Sequence, residues 1–167
     1  VWSPFSADEE LGYVYLPVES ATGDYYGGHR PGNNLFAGSL VCVDARTGKR
    51  VWHHQLVHHD IWDYDLASPP TLINITVSGK PIRAVAQVTK WGYLFAFDRV
   101  NGTPVWPIEE RRVEAGTVPG EWYSPTQPFP VKPPPLVPQG SSPDDAWGFT
   151  WWDRRACRRM MEQLRHG

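Results

Sequence analysis

An internal repeat constrains the fold of this chain more than any other feature. Two segments share the order strand, Asp, two residues, Thr or Asn, Gly, two residues, Val, Trp. The aspartates Asp44 and Asp98 and the tryptophans Trp52 and Trp106 are each 54 residues apart. The polar side chains suit a tight turn, the glycine suits a positive φ, and the indole offers a large surface for packing. Two unrelated hairpins with a common turn are the alternative, but matched features at a constant offset favour a true repeat.

A unit of strands that recurs at this spacing is typical of a β-propeller blade. The 17 prolines and 15 glycines among 167 residues indicate many turns. A propeller needs at least four blades to close, so two repeats predict a fragment of a longer protein. The predicted fold class is therefore all-β: about two propeller blades, followed by a Pro-rich connection and a short C-terminal helix.

The whole chain divides into three predicted regions. Residues 1–106 form the propeller blades, residues 107–149 a Pro-rich irregular connection, and residues 150–167 an amphipathic helix that the end of the chain truncates. The helix prediction depends on apolar residues spaced four apart, at positions 152, 156, 160 and 164. Strand-like runs in the first region cover 11–18, 39–44, 50–57, 70–77, 82–88, 93–97 and 103–106.

Composition excludes some classes of function. The net charge of −2 is too near neutral for a nucleic-acid partner. Cys42 and Cys157 lie far apart in unlike contexts, which favours two independent thiols over a disulfide. No apolar run approaches the roughly 20 residues that a membrane-spanning helix needs.

The loop at 58–65 is the candidate site. It contains two imidazoles, three carboxylates and two aromatic rings, and polar loops on a β scaffold often carry chemistry. We expect Asp60 and Asp65 to accept hydrogen bonds from loop amides. The adjacent His58 and His59 do not favour a metal site, because neighbours on an extended chain point in opposite directions; one of them could line a pocket.

Several motifs resemble one known family. The Asp-x-x-Thr-Gly-x-x-x-Trp turn resembles the tryptophan-docking motif of quinoprotein dehydrogenases, eight-bladed propellers that bind pyrroloquinoline quinone (PQQ). The 57–65 loop is similar to their His-Asp-x-Trp-Asp-Tyr segment. Segments that resemble the membrane-bound glucose dehydrogenase branch lie at 25–30, 89–92, 124–129 and 147–158.

The resemblance implies a function and two site residues. It implies oxidation of a sugar or alcohol by hydride transfer to PQQ, with Asp63 as general base and Lys90 at the quinone oxygens. We expect an aromatic-lined pocket to raise the pKa of Asp63 by desolvation. Without the resemblance, Asp63 reads as a turn-capping residue beside Trp62, and Lys90 as a solvated lysine. The resemblance also implies a quinone or cytochrome electron acceptor and a periplasmic location, with any membrane anchor outside this chain.

Calcium is the one cofactor on which the sequence departs from the family. The usual calcium-ligating asparagine is replaced by Ser20, a poor ligand, although the neighbouring Glu19 could supply a hard oxygen. We therefore assign no metal ligand.

The alternative function is a non-catalytic propeller that serves as a binding or assembly scaffold. A scaffold needs no Trp62–Asp63 pair followed 27 residues later by Lys90. That spacing therefore favours the enzyme.

Overall fold

The computed structural model describes residues 1–164. The chain separates into two compact units, Val1–Leu136 and Val137–Gly167. The first unit contains the strands β1 Ser6–Asp8, β2 Tyr13–Val18, β3 Ser39–Asp44, β4 Arg50–Gln55, β5 Thr71–Val77, β6 Lys80–Val88, β7 Leu94–Asp98, β8 Ile108–Arg112 and β9 Thr126–Pro130. The second contains a short 3₁₀ turn, Pro143–Asp145, and the helix α1, Trp151–Met161.

The strands form antiparallel sheets in chain order, which is how propeller blades are built. Strands β1 to β4 make a four-stranded sheet, β5 to β7 a three-stranded sheet, and β8 and β9 a hairpin. The first sheet is a complete blade. In the second, the strand predicted at 103–106 is reduced to one bridge between Phe97 and Pro104. The predicted all-β fold, with about two blades and a short C-terminal helix, is confirmed.

The two repeated turns have the same internal bonding. Asp44 accepts hydrogen bonds from the amide of Thr47 at 2.8 Å and from its hydroxyl at 2.9 Å. Asp98 accepts from the amides two and three residues later, at 2.8 and 3.2 Å. Gly48 and Gly102 have φ values of +68° and +76°, a region that side chains with a Cβ rarely occupy. The turn chemistry predicted from the sequence is therefore confirmed.

Trp52 of the first blade docks on the turn of the second blade. A Cβ built on Gly102 would lie 2.7 Å from Trp52 Cγ and Cδ2, so only glycine leaves room for the indole. The indole N–H donates to the carbonyl of Arg99 at 3.4 Å, and the Tyr15 hydroxyl donates to the same oxygen at 2.8 Å. Side chains of the first blade thus contact the backbone of the second blade directly.

A single hydrophobic core lies between these two sheets. Its buried members are Tyr15, Leu40, Cys42, Trp52, Leu56, Leu66, Val85, Tyr93, Phe95 and Phe97. Burial raises the pKa of the Cys42 thiol to about 12, which makes it a packing group rather than a nucleophile. Cys42 and Cys157 are both free, as the sequence predicts.

A buried carboxylate also joins the two blades. Asp8 is 6% exposed, and its Oδ1 accepts the amides of Glu10 and Leu11 at 3.1 Å each. Its Oδ2 pairs with Arg99 at 2.8 Å and with Arg83 at 3.2 Å, both on the second blade. Burial opposes ionisation, but these hydrogen bonds and the two cations lower the pKa of Asp8.

The irregular connection predicted at 107–149 contains the β8–β9 hairpin. Prolines hide this strand in the sequence, because Pro128 and Pro130 cannot donate a ladder hydrogen bond. They are two residues apart, so both nitrogens point to the same edge of β9. Pro128 pairs in register with Glu110, and Pro130 with Ile108. The three-residue strand β1, also not predicted, is too short to show alternation.

The predicted helix is present but shorter than the 150–167 expected. Thr150 caps it by accepting the amide of Asp153, and it ends at Met161. The predicted apolar positions are exposed: 57% at Trp152 and 65% at Met160 within the helix, and 65% at Leu164 beyond its end. Residues 165–167 lie outside the described part of the chain. No helix within 1–164 is long and apolar enough to cross a membrane.

Replacing Gly102 with alanine tests the docking contact. We expect a loss of about 2–5 kcal/mol, from the left-handed backbone and the clash with Trp52. The measurement is the shift in urea midpoint of the full-length protein. Gly48→Ala is the matched control, since that glycine has the same turn position and nothing within 4 Å of an added Cβ; it should cost only about 1–2 kcal/mol. Equal losses for both variants would show that the docking contact contributes nothing.

Candidate functional site

The candidate loop leaves β4 and returns to β5 through two residues with unusual backbone angles. His59 and Asp63 have φ values of +47° and +59°. Non-glycine residues adopt this region at a cost, so neighbouring contacts must hold the loop in place.

Asp60 organises the inside of the loop. It is 2% exposed, and it accepts the amides of Trp62 at 2.9 Å and Tyr64 at 2.7 Å. The Ser20 hydroxyl also donates to this carboxylate. Burial raises the pKa of Asp60 above its usual range, and the Asp65 charge adds to that rise. Asp60 therefore has the structural role that the sequence predicts.

The residues at the expected calcium position do not fit a calcium ion. The Ser20 hydroxyl is bound to Asp60, and the Ser20 amide donates to Asp65 at 2.8 Å. The Glu19 carboxylate accepts the amides of Trp2 and Ser3. Across residues 1–164, no group of three or more His, Cys, Asp or Glu side chains is placed to hold a metal.

The structure brings Asp63 and Lys90 together. Lys90 Nζ lies 3.1 Å from Asp63 Oδ2 and 3.6 Å from Asp65 Oδ2, and it donates to the Asp63 carbonyl at 2.8 Å. The Asp63 and Lys90 side chains are 33% and 36% exposed. Two residues that are 27 positions apart in sequence thus form one solvent-accessible charged group.

The protonation of this pair differs from the expectation. The hydrogen bond from Lys90 lowers the pKa of Asp63, and this outweighs a smaller effect of desolvation. The prediction that desolvation raises the pKa of Asp63 is therefore wrong. The carboxyl group whose pKa burial does raise is that of Asp60. Burial disfavours the charged form of Lys90, but the carboxylates of Asp63 and Asp65 raise its pKa overall.

Three aromatic rings stack beside this pair. Trp62 and Tyr64 have ring centroids 5.7 Å apart at 28°, and Tyr64 and Trp91 have centroids 5.0 Å apart at 25°. Trp62 is 43% exposed. Trp62 and Tyr64 flank Asp63 in the chain and Trp91 follows Lys90, so the two charged residues are neighbours of this aromatic stack.

Sequence reasoning missed two residues that hold the loop from outside. Gln127 Oε1 accepts the amide of His58 at 2.8 Å, and Gln127 Nε2 donates to its carbonyl at 2.7 Å. Glu121 Oε1 lies 2.9 Å from His59 Nε2. The segment 124–129, which resembles the family, contains Gln127 and was the signal for it, whereas Glu121 lies outside that segment.

The two histidines are part of this support rather than a metal site. His58 lies between Gln55 at 3.1 Å and Glu110 at 3.0 Å. His59 is 1% exposed and lies between Glu121 and the carbonyl of Gly32, at 2.9 and 2.8 Å. The imidazole nitrogens of both residues thus face partners other than Asp63 and Lys90.

Comparison with known proteins identifies relatives across the whole chain. Residues 1–167 match the family described as "PQQ: Glucose/ethanol/alcohol dehydrogenase, beta-propeller domain". The chain is 40% identical to the quinoprotein glucose dehydrogenase of Escherichia coli, over 99% of its own length and 21% of that protein's. It is 38% identical to the glycerol dehydrogenase large subunit of Gluconobacter oxydans, over 94% of its length and 22% of that protein's.

Solved structures agree with the sequence comparison. The quinohemoprotein alcohol dehydrogenase of Comamonas testosteroni has a TM-score of 0.60 and 27% identity, covering 78% of this chain and 19% of that one. A europium-containing methanol dehydrogenase has a TM-score of 0.57 and 26% identity, covering 64% of this chain and 19% of that one. The chain spans about a fifth of the length of the curated relatives it matches. With its repeat, its blades and a family match over residues 1–167, this chain belongs to the β-propeller domain family of the PQQ-dependent glucose, ethanol and alcohol dehydrogenases.

Proposed function

We propose that this chain is the part of a PQQ-dependent dehydrogenase that supplies the general base, Asp63, and a quinone-contacting cation, Lys90. The substrate is a sugar or an alcohol. The observation that carries the proposal is the contact of 3.1 Å between Lys90 Nζ and Asp63 Oδ2 on an accessible surface. A non-catalytic scaffold would not need this exposed pair beside an aromatic face.

The chemistry of the residues present fits the cofactor. PQQ is a flat, negatively charged quinone, so it suits an ammonium group next to aromatic rings. Lys90 would hold the quinone oxygens, and the partly exposed Trp62 directly precedes Asp63 in the chain. Lys90 can bind the Asp63 carboxylate and a quinone oxygen at the same time, because its ammonium group has three N–H donors.

The main role of Asp63 and Lys90 in this scheme is to remove the proton of the substrate hydroxyl. Lys90 keeps Asp63 ionised, so that its carboxylate can accept the proton of the substrate hydroxyl. When bound, PQQ would supply the acceptor for the hydride on the carbon that bears that hydroxyl, so that the substrate would leave as a carbonyl compound. The Lys90 charge would also stabilise negative charge that develops on the quinone oxygens. Ser20 and Glu19 bind other groups of the chain and are not available as calcium ligands in this scheme.

The remaining assignments follow from family membership. We propose a periplasmic location, with any membrane anchor in a part of the protein outside this chain. We propose that the electrons pass to a membrane quinone or to a cytochrome. These assignments concern the full-length protein, of which this chain is one part.

Substitution of Asp63 by asparagine tests the base. Reconstituted with PQQ and Ca²⁺, the full-length wild type should reduce a dye with glucose or a simple alcohol. Asp63→Asn should lower kcat by about 10²- to 10⁴-fold, because general-base catalysis contributes that much. Asp44→Asn makes the same chemical change in an exposed turn and should keep wild-type activity. A wild-type rate in Asp63→Asn would refute the assignment, and absence of any quinone binding by the wild type would favour a scaffold.

Substitution of Lys90 by methionine tests the coupling of the pair. The Lys90 hydrogen bond lowers the pKa of Asp63, so its removal should raise that pKa. The acid limb of the kcat/KM profile reports the ionisation of the base and should move to higher pH. Lys80→Met, at the exposed start of β6, is the control and should leave the profile unchanged. An unmoved acid limb in Lys90→Met would contradict the coupling.

A further inference from the structure

A buried ion pair connects the Pro-rich region to the candidate loop. The His59 and Glu121 side chains are 0% and 1% exposed, and His59 Nε2 lies 2.9 Å from Glu121 Oε1. The two residues are 62 positions apart. This pair lies away from the Asp63–Lys90 contact and has no role in the proton transfer described above.

The hydrogen-bond partners of His59 and Glu121 indicate the charge state of this pair. Both ring nitrogens of His59 face oxygen acceptors, the Gly32 carbonyl at 2.8 Å and the Glu121 carboxylate at 2.9 Å. Glu121 also accepts the amides of Gly27 at 2.6 Å and Trp122 at 2.8 Å, so it receives donors only. A neutral imidazole has one N–H and would leave one acceptor facing a lone pair. Two acceptors opposite the two ring nitrogens therefore favour an imidazolium at His59 opposite an ionised Glu121.

The neighbouring groups are arranged around the same pair. A Cβ on Gly27 would lie 2.5 Å from His59 Nε2, so the glycine lets the backbone approach the ring. Arg30 also borders Gly27 and donates to the Asp60 carbonyl at 2.6 Å. The His59 ring meets Trp122 edge-on, with centroids 4.7 Å apart. The His59 side chain is enclosed by these groups and is 0% exposed.

The position of this pair along the chain links it to the site. His59 has the left-handed φ of +47° that turns the chain into the loop. The next residue, Asp60, holds the amides of Trp62 and Tyr64 on either side of Asp63. Anchoring the His59 ring therefore sets where Asp63 lies relative to Lys90.

We propose that Glu121 is a positioning residue: it holds His59 as a buried imidazolium and thereby fixes the loop that presents Asp63. This inference rests on the proposed function. Glu121 contacts neither the substrate nor the quinone, and it acts through His59. Misplacement of a catalytic group by about 1 Å can cost roughly 10²-fold in rate.

The kinetic test uses the full-length enzyme reconstituted with PQQ. Glu121→Gln keeps the shape of the side chain and removes the charge. We expect kcat to fall by roughly 10- to 100-fold, with KM changed by less than about threefold. Glu110→Gln is the matched control, because Glu110 pairs with the neighbouring His58 but is 51% exposed; its kcat should be unchanged. An unchanged kcat in Glu121→Gln, or a change in KM alone, would overturn the proposal.

A double variant separates positioning from a general loss of folding. Because Glu121 acts through His59, the losses in kcat caused by Glu121→Gln and by His59→Gln should not add. The double variant should therefore keep a kcat within about threefold of that of His59→Gln alone. Additive losses in the double variant would contradict the charge pairing.

A spectroscopic readout does not depend on activity. In full-length protein with ¹⁵N-labelled histidine, the His59 signals are those lost in His59→Gln. At neutral pH both His59 nitrogens should be protonated in the wild type, and only one in Glu121→Gln. A singly protonated His59 in the wild type would overturn the inference. If this signature is present but the wild type lacks PQQ-dependent dye reduction, the proposed function fails and the catalytic part of the inference with it, while the ion pair stands.

Discussion

The docking of Trp52 on Gly102 is the contact on which the described blades depend. An indole ring against a bare glycine backbone lets two turns approach more closely than side chains permit. The same turn then offers a carbonyl, that of Arg99, to both Trp52 and Tyr15. Because the tryptophan and the turn belong to successive repeats, the local sequence of each blade also encodes its contact with the next. The core between the sheets forms behind that contact.

The candidate site is built on this frame by contacts from distant parts of the chain. The loop at 58–65 cannot hold its own left-handed residues, so Ser20, Gln127 and Glu121 hold it from outside. Inside the loop, Asp60 gathers amides and leaves Asp63 on the accessible side, where it meets Lys90. The loop thus has one buried carboxyl with a raised pKa and one accessible carboxyl with a lowered pKa. Environment gives two identical side chains different roles.

The sequence predicts those features that are encoded locally. The repeat predicts the turns, the docking tryptophan and the fold class, because each depends on a few neighbouring residues. The sequence does not predict β9. Its prolines argue against a strand, although β9 forms ladder hydrogen bonds along only one of its edges and can therefore contain them. The pKa of Asp63 could not be predicted either, since it depends on the distance to Lys90, which only the folded chain sets. The roles of Glu121 and Gln127 are hidden for the same reason. The roles of Asp63 and Lys90 in catalysis stay predictions.

Asp8 makes the stability of the interface between the two blades depend on pH. Its carboxylate closes a turn in the first blade and pairs with Arg83 and Arg99 of the second. Because folding lowers its pKa from 3.8, the stabilisation is complete above the unfolded value and is lost as the pH falls through the folded one. His54 is a second titratable group at this interface, because its Nε2 lies 2.6 Å from the Gly102 carbonyl and burial lowers its pKa. Acid would therefore weaken the joint between the blades on both sides, and the Asp8 contribution would be lost only below the unfolded pKa of 3.8.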